Sequence, residues 1–300
     1  MKQIRVYHID AFTKNPFEGN PAGVVPDASG LTLTQMQKIA NELNLPESAF
    51  LQPSTNPKAD FRIRYFTPQE EINFCGHATV GSAWLLATEY GWAEKADHIV
   101  YETNVGLIPV HWEKSENKIN MVTMTQISPK VKKMEFDSSE IAELVGISPD
   151  QLDDRFPIKL AHTGNWHLIV PVKTNQAIDS ATPKWDQLAL LNKMHSISTT
   201  HLFTFDAKPG FNLYTRDFAP AIGIPEDPVT GAANGALAGY LVLEGILSKD
   251  ETHQLTIGQG DAINRAGTLF VTIIPSENDV IIKVGGCAHV TIEGMLRLHE

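Results

Sequence analysis

Cysteine is nearly absent: Cys75 and Cys287 are the two in 300 residues. That is too few for a disulfide framework, so a reducing cytoplasm is the expected setting. No apolar run approaches the roughly 20 residues needed to span a bilayer. The opening Met1-Lys2-Gln3-Ile4-Arg5-Val6 enters an alternating strand pattern, not the apolar region of a signal peptide. Basic residues are scarce relative to acidic ones, 24 Lys+Arg against 35 Asp+Glu, and the net charge of −11 repels phosphate backbones. No Lys/Arg cluster offsets it, so neither nucleic acid nor an anionic membrane surface is an expected partner. A small anionic substrate stays open, because a helix N-terminus can bind one locally. A Gly-rich nucleotide loop, a Gly-x-Ser-x-Gly elbow and a His-Glu-x-x-His motif are all missing. With 42% hydrophobic and 20% charged residues, the chain can still bury a full core, as one large domain or two of average size.

What is present is a pattern that occurs twice. Arg64-Tyr65-Phe66-Thr67-Pro68 leads into Cys75-Gly76-His77-Ala78 and a small-residue helix. Arg216-Asp217-Phe218-Ala219-Pro220 leads into Thr230-Gly231-Ala232-Ala233 and another. Gly19-Asn20 precedes the apolar run to Val25, as Gly164-Asn165 precedes the run to Val170. A turn glycine and a strand follow each helix, at Val105-Gly106 and Ala266-Gly267. A repeat this long is not a solenoid period of 20–50 residues but two similarly folded halves. The cleft between such halves is a natural place for a ligand.

Short β-branched or aromatic segments bounded by Gly, Pro, Asn or Asp predict strands at 4–12, 61–66, 99–103, 119–125, 211–214, 268–274 and 280–284. Thr34-Gln35-Met36-Gln37 has the form of a capping box, with Met36, Ile39, Ala40 and Leu43 at helical spacing behind it. Two more surface helices are expected, at Asp137 to Val145, halted by Gly146, and at Trp185 to Leu191. The lysine-bearing stretch Ser128 to Phe136 is the candidate linker. Gly231, Gly235 and Gly239 fall on one helix face, and each interior glycine costs about 1 kcal/mol relative to alanine. Close backbone approach is the reason that fits: a slim helix threaded through a curved sheet. Ala78, Ser82 and Ala83 make the first helix similarly slim. The fold class expected is α+β, with two pseudo-symmetric halves, each a curved, mostly antiparallel sheet or barrel around a central helix.

Each slim helix starts beside polar residues, Cys75, His77 and Thr79 in one half and Glu226, Asp227, Thr230 and Asn234 in the other. Unpaired N–H groups there stabilise a carboxylate or oxyanion. Cys75 reads either as a thiolate whose pKa the helix start lowers or as a buried apolar cysteine. His77 reads as an acid/base or as a helix cap, and Asp227 before Pro228 as a functional carboxylate or a turn starter. Cys75-x-His77 and Cys287-x-His289 amount to four ligand-type residues, but one-residue spacing is no zinc-knuckle pattern, and no metal is expected. Glu47, in Leu45-Pro46-Glu47-Ser48-Ala49-Phe50-Leu51, sits where a helix ends and an apolar strand begins. Partial desolvation there would raise its pKa toward a range useful for acid–base work, although an ordinary surface glutamate fits the same pattern.

The set Asp10-Ala11-Phe12, Gly19-Asn20-Pro21-Ala22-Gly23-Val24, Glu47-Ser48-Ala49-Phe50, Arg64 to Pro68, Cys75-Gly76-His77-Ala78-Thr79 and Glu226-Asp227-Pro228-Val229-Thr230-Gly231 resembles the phenazine-biosynthesis isomerase (PhzF-like) family. The resemblance runs from about residue 4 into the C-terminal strands. It implies the diaminopimelate epimerase-like fold, with the active site between the halves. The expected halves are residues 1–127, joined by a returning strand at 286–300, and residues 128–285. It implies that Glu47 is the acid/base that moves a proton between two carbons of a cyclic, unsaturated amino acid. It implies that His77 and Asp227 are the other catalytic polar positions. Asn20, Cys75, Gly76, Thr230, Gly231 and Ala232 are then the substrate-binding ones. No metal, flavin, pyridoxal phosphate or nicotinamide is implied; the expected partner is a small carboxylate substrate, and monomer and homodimer both stay open. Two departures stand out. Ala232 replaces a serine that the phenazine isomerases resemble one another in having. Near the end, Asp261 stands where an arginine is common and Asn264 where a glycine is. They point to a cofactor-independent isomerase or epimerase with a different substrate. The alternatives are a single-thiol epimerase using Cys75 and a non-catalytic binding member of the family.

Overall fold

The computed structural model describes residues 2–116, 118–135, 137–277 and 279–298. They divide into two compact units, Met1–Thr125 with Gly285–Glu300, and Gln126–Val284.

In the first unit the strand Lys2–Ala11 pairs antiparallel with Ala288–Leu298 on one side and Asn20–Val25 on the other. Asn20–Val25 runs parallel to Glu47–Pro53, which is antiparallel to Phe61–Phe66. Phe61–Phe66 runs parallel to His98–Thr103, which is antiparallel to Gly106–Ser115. The second unit repeats these pairings in the same order. Lys130–Lys133, Lys159–His162 and Trp166–Pro171 are successively antiparallel. Trp166–Pro171 is parallel to Thr199–Thr204, which is antiparallel to Leu213–Phe218. Leu213–Phe218 is parallel to His253–Gln259, which is antiparallel to Gly267–Pro275.

Parallel neighbours cannot be joined by a tight hairpin, so each needs a crossover. The first crossover of each unit carries surface helices, Leu33–Leu43 in one, Asn175–Asp179 and Trp185–His195 in the other. The second carries the central helix, Gly76–Glu89 or Gly231–Leu243. Residues 77–83 of the one and 233–242 of the other are buried without a break, so neither helix has a solvent face there. Small side chains let the sheet close in. A Cβ on Gly239 would lie 2.4 Å from Cβ of Pro129, and one on Gly235 would lie 3.2 Å from each of Gln126, Thr163 and Val284.

Several boundaries differ from the sequence reading. The capping box is Thr32 with Gln35, two residues earlier than read, because Thr32 takes the extended cap conformation and Leu33 begins the helix. The linker reading fails, since Lys130–Lys133 is a strand paired with Lys159–His162. It fills the place in the second unit that Ala288–Leu298 fills in the first. Phe136, which closed that stretch, lies outside the described residues. The strand read at 211–214 is Leu213–Phe218, because Phe211 closes a turn on Lys208 and Gly210 has φ of 90°. The helix read as Trp185 to Leu191 runs on to His195 and stops at Ser196, φ 54°. Asp137 caps Ser138–Val145, and Gly146 ends it at φ 73°. Among the described residues, no helix is long and apolar enough to cross a membrane.

Overpacking decides the sign of a substitution here. Gly239→Ala gains about 1 kcal/mol of helix propensity but forces an overlap of the kind that costs about 1–3 kcal/mol. Thermal melting is expected to show net destabilisation for Gly239→Ala and a larger loss for Gly235→Leu; a melting temperature equal to the parent's in both would contradict the tight-sheath account.

Candidate functional site

Glu47 is the first residue of its strand, directly after a helix that ends on Asn44 in the left-handed region at φ 50°. Its parallel partner is Ala22, two residues beyond buried Asn20. Cys75 is the N-cap of the first unit's central helix, and Gly76 and His77 are its first two residues. The helix start is pinned from behind: Tyr65 Oη meets Thr79 Oγ1 at 2.6 Å, and Thr79 Oγ1 donates to the Cys75 carbonyl at 2.6 Å. The three side chains converge. His77 Nε2 is 3.2 Å from Glu47 Oε2, and Cys75 Sγ is 3.5 Å from Nδ1 and 3.8 Å from Nε2 of the same ring. The His77 and Glu47 side chains are only 9% and 12% exposed. Their approach is close without being aligned as a hydrogen bond, which leaves Glu47 Oε2 buried without a hydrogen-bond partner.

Burial alone would push the His77 imidazole down, but the Cys75 sulfur and the Glu47 carboxylate outweigh it and hold its pKa well above the usual value. Of the two readings of Cys75, the structure favours the buried cysteine over the low-pKa thiolate. Burial pushes the thiol up, more than His77 pulls it down, so the helix start does not make a low-pKa thiolate. Cys287 and His289 do not join this cluster. They line a cavity of about 390 Å³ with Lys14, Trp84 and Asn120, and the Cys287 thiol donates to the Asn120 carbonyl at 3.1 Å.

Asp227 ends the two-residue strand Glu226–Asp227, rather than only starting a turn. Thr230 is the N-cap of the second central helix, with Gly231 and Ala232 as its first residues, and no side chain caps the helix start. Instead the Thr230 hydroxyl lies 2.5 Å from Asp227 Oδ2 and 3.0 Å from Asp217 Oδ2. It carries one proton and so donates to one carboxylate at a time. Asp217 is fully buried; its other oxygen accepts from the Thr199 hydroxyl at 2.7 Å and faces His201 Nδ1 at 2.9 Å. Gln259 completes the network, donating to Thr230 Oγ1 at 3.1 Å and accepting from Asn234 Nδ2 at 2.8 Å. Behind Thr199 lies His167, 2.8 Å away, whose pKa burial pushes down to about 4.

Sequence reasoning missed Asp217, Thr199, His201 and Gln259. A signal existed for Asp217: in the duplicated motif it stands where the other half has Tyr65, a carboxylate in place of an aromatic. The motif arginines form matching bidentate pairs, Arg64 with Glu71 and Arg216 with Glu226. Asn264 stands at φ 57°, which explains a glycine elsewhere in the pattern; asparagine is among the residues that tolerate that region. Asp261 pairs with Lys208 at 3.0 Å.

Comparison with known proteins extends over nearly the whole chain. The family model described as phenazine biosynthesis-like protein matches residues 9–294. An uncharacterized isomerase of Clostridium acetobutylicum is 34% identical over 309 residues, all of both chains. The trans-2,3-dihydro-3-hydroxyanthranilate isomerase of Pseudomonas chlororaphis is 35% identical over 87% of each chain. A solved PhzF-family structure from Bacillus anthracis superposes with a TM-score of 0.91 at 33% identity, covering 99% of this chain and 100% of that one. The fold is diaminopimelate epimerase-like.

The cluster around His77 has a pH signature. His77 is raised above its ordinary 6.5 and Cys75 above its ordinary 9.0. Both therefore hold protons in the folded state that the unfolded state releases. The His77 contribution is whole below about pH 6.5 and is lost as pH rises through the folded value; the thiol adds a further loss above about pH 9. Urea midpoints should fall from neutral to alkaline pH in the parent and fall less in His77→Gln. An identical pH slope in the two proteins would contradict this.

Proposed function

This chain belongs to the phenazine biosynthesis-like (PhzC-PhzF) family and is an isomerase, and from that premise we propose that Glu47 shuttles a proton between two carbons of a small carboxylate. The observation that carries the reading is the 3.2 Å approach of the Glu47 carboxylate to His77 Nε2, with both side chains almost out of solvent. A carboxylate in that position takes a proton from carbon and returns it, while the adjacent imidazole holds charge and orients the carboxylate. Neither helix start carries a side-chain cap, so N–H groups near Gly76 and Gly231 remain suited to a substrate carboxylate or a developing enolate. Asp227 is proposed as a further catalytic polar residue, its Oδ2 held by the Thr230 hydroxyl. Asn20 and Thr230 serve binding and local order.

The Pseudomonas relative's name gives the substrate class its starting point, a cyclic unsaturated amino acid. Ala232 brings a methyl to the second residue of the helix and no hydroxyl, which supports a different member of that class as the substrate. Cys75 lines the cluster in this reading. Its raised pKa argues against a thiol base, which needs thiolate at working pH.

Candidate cyclic and α-amino carboxylates can be found by thermal shift, since a ligand of the folded state raises apparent stability. Solvent deuterium incorporation at carbon is then followed for the parent and four variants. Glu47→Gln is expected to bind ligand but lose exchange by the roughly 10²–10⁴-fold typical of a removed acid/base. Asp227→Asn and His77→Gln are expected to lose less, and Cys75→Ser only a modest factor. Loss confined to Cys75→Ser would replace the carboxylate by the thiol. Absence of exchange in the parent with every bound ligand would point to a binding protein.

A further inference from the structure

Asp217 lies within a ladder of ionisable side chains. Across the sheet it stands opposite His201 on one neighbouring strand and opposite Asp227 on the other. Tyr65, at the matching place in the first unit, stands between Ala49 and Ile72, so the duplicated frame needs no charge at these three positions. Like charges directly opposite on adjacent strands repel, and Asp217 is fully buried. The adjacent guanidinium offers no compensation, because Arg216 is spent on Glu226 and on the carbonyls of Ile178, Asp179 and Ala181. What joins the two carboxylates is the Thr230 hydroxyl, 2.5 Å from Asp227 Oδ2 and 3.0 Å from Asp217 Oδ2. We propose that Asp217 is a positioning residue for Asp227, the two carboxylates sharing a single proton through that hydroxyl. Its bearing on the reaction rests on the reading of Asp227 as a catalytic residue.

The hydrogen bonds around Thr230 require that proton. A hydroxyl has one proton to donate and two lone pairs with which to accept. Gln259 Nε2 donates to Thr230 Oγ1 at 3.1 Å. The amide cannot turn over, since its Oε1 accepts from Thr230 N–H at 3.1 Å and from Asn234 Nδ2 at 2.8 Å. With both carboxylates ionised, the Thr230 proton serves one of them and the other faces a lone pair. One added proton removes the conflict. Asp217 Oδ2–H then donates to Thr230 Oγ1 and the Thr230 proton goes to Asp227 Oδ2, or the same chain runs in reverse. In the interchange the Asp217 O–H bond breaks as a bond to Thr230 Oγ1 forms, and the Thr230 O–H bond breaks as a bond to Asp227 Oδ2 forms. Charge and atoms are conserved. The far side of Asp217 is fixed, its Oδ1 accepting from the Thr199 hydroxyl at 2.7 Å and from His201 Nδ1 at 2.9 Å. His201 Nε2 is buried without a hydrogen-bond partner, which fits the Nδ1–H tautomer; a second ring proton would be a donor with no acceptor. His167, beyond Thr199, is kept neutral by burial, its pKa pushed down to about 4. Neither ring supplies a cation, so the shared proton is what reduces the charge of the aspartate pair from two to one.

Difference infrared spectra of substrate-free protein read the shared proton directly. The parent is expected to show the C=O stretch of a protonated carboxyl at neutral pH, moved by isotope-labelled aspartate and lost in both Asp217→Asn and Asp227→Asn. No such band in the folded parent, or a band that survives either substitution, would overturn the sharing. Circular dichroism checks that each variant folds. If Asp217→Asn does not, Asp227→Asn carries the test together with Thr230→Val, which removes the bridge and should alter the band where Thr230→Ser keeps it; an unaltered band in Thr230→Val would overturn the proposal. This arm needs no substrate, so it stands apart from the catalytic reading of Asp227. With a substrate, the pH profile of deuterium exchange separates positioning from a merely structural role. The titratable groups facing Asp217 are His201 and His167 on one side and Asp227 on the other, and Asp217→Asn removes the like charge beside Asp227. The limb of the profile set by Asp227 should move to lower pH by about one unit or more, whether the acid or the carboxylate is the active form. Exchange that falls equally at every pH, with the limb unmoved, would overturn the positioning role.

Discussion

A helix with no solvent face dominates this protein. Each unit must bury the whole circumference of one crossover helix inside a curved sheet, and almost everything near the site follows from that packing. The helix has to be slim, hence the alanines and glycines, and Pro129 crowding Gly239 marks how little room remains. It has to connect parallel strands, hence its place between Phe61–Phe66 and His98–Thr103 or between Leu213–Phe218 and His253–Gln259. Its first turn then emerges beside strand ends, where Glu47 or Thr199 begins the other parallel crossover's return. A helix buried on all sides cannot shift to suit a ligand, so the side chains at its start are held in place before substrate arrives.

Duplication supplied the frame twice, and the two copies diverged in chemistry. At matching positions the first unit has Glu47, Tyr65, Cys75 and His77, and the second has Thr199, Asp217, Thr230 and Ala232. The first combination makes a compact titratable cluster in which one Glu47 oxygen, Oε2, is buried 3.2 Å from His77 Nε2. The second makes a hydrogen-bonded network in which a buried aspartate faces the Thr199 and Thr230 hydroxyls and the His201 ring, while His167 Nε2, His201 Nε2 and Asn234 Oδ1 stay buried without a hydrogen-bond partner. The bidentate arginine–glutamate pairs persist in both, as expected of a feature that ties a strand to the short strand before the helix.

Much of this was readable from residues because it rests on local chemistry. Three glycines on one helix face could only mean close approach, and the repeated Arg-x-Phe-x-Pro motif pointed to two like halves. Long-range pairing was harder. Nothing in the polar stretch Lys130–Lys133 announces a strand, since an edge strand is stabilised by its neighbour's backbone and not by its own apolar pattern. The capping box was misplaced by two residues because two threonines, Thr32 and Thr34, offer similar local signals; only backbone conformation selects Thr32. Convergence of Glu47 on His77 depends on the register of two parallel strands, which sequence spacing does not encode. The two readings of the Cys75 thiol stayed open for a related reason: helix-start electrostatics is local and visible, whereas burial, which decides between them, is a property of the whole fold.

The central claim is that the largely buried Glu47 carboxylate, 3.2 Å from His77 Nε2, favours the protonated form of that ring. Heteronuclear NMR of histidine-labelled, metal-free protein reads the protonation of the His77 ring directly. The account predicts a doubly protonated ring at neutral pH in the parent, giving up its proton at a lower pH in Glu47→Gln. A neutral, singly protonated ring at neutral pH in the parent, or a titration unmoved by Glu47→Gln, would contradict it.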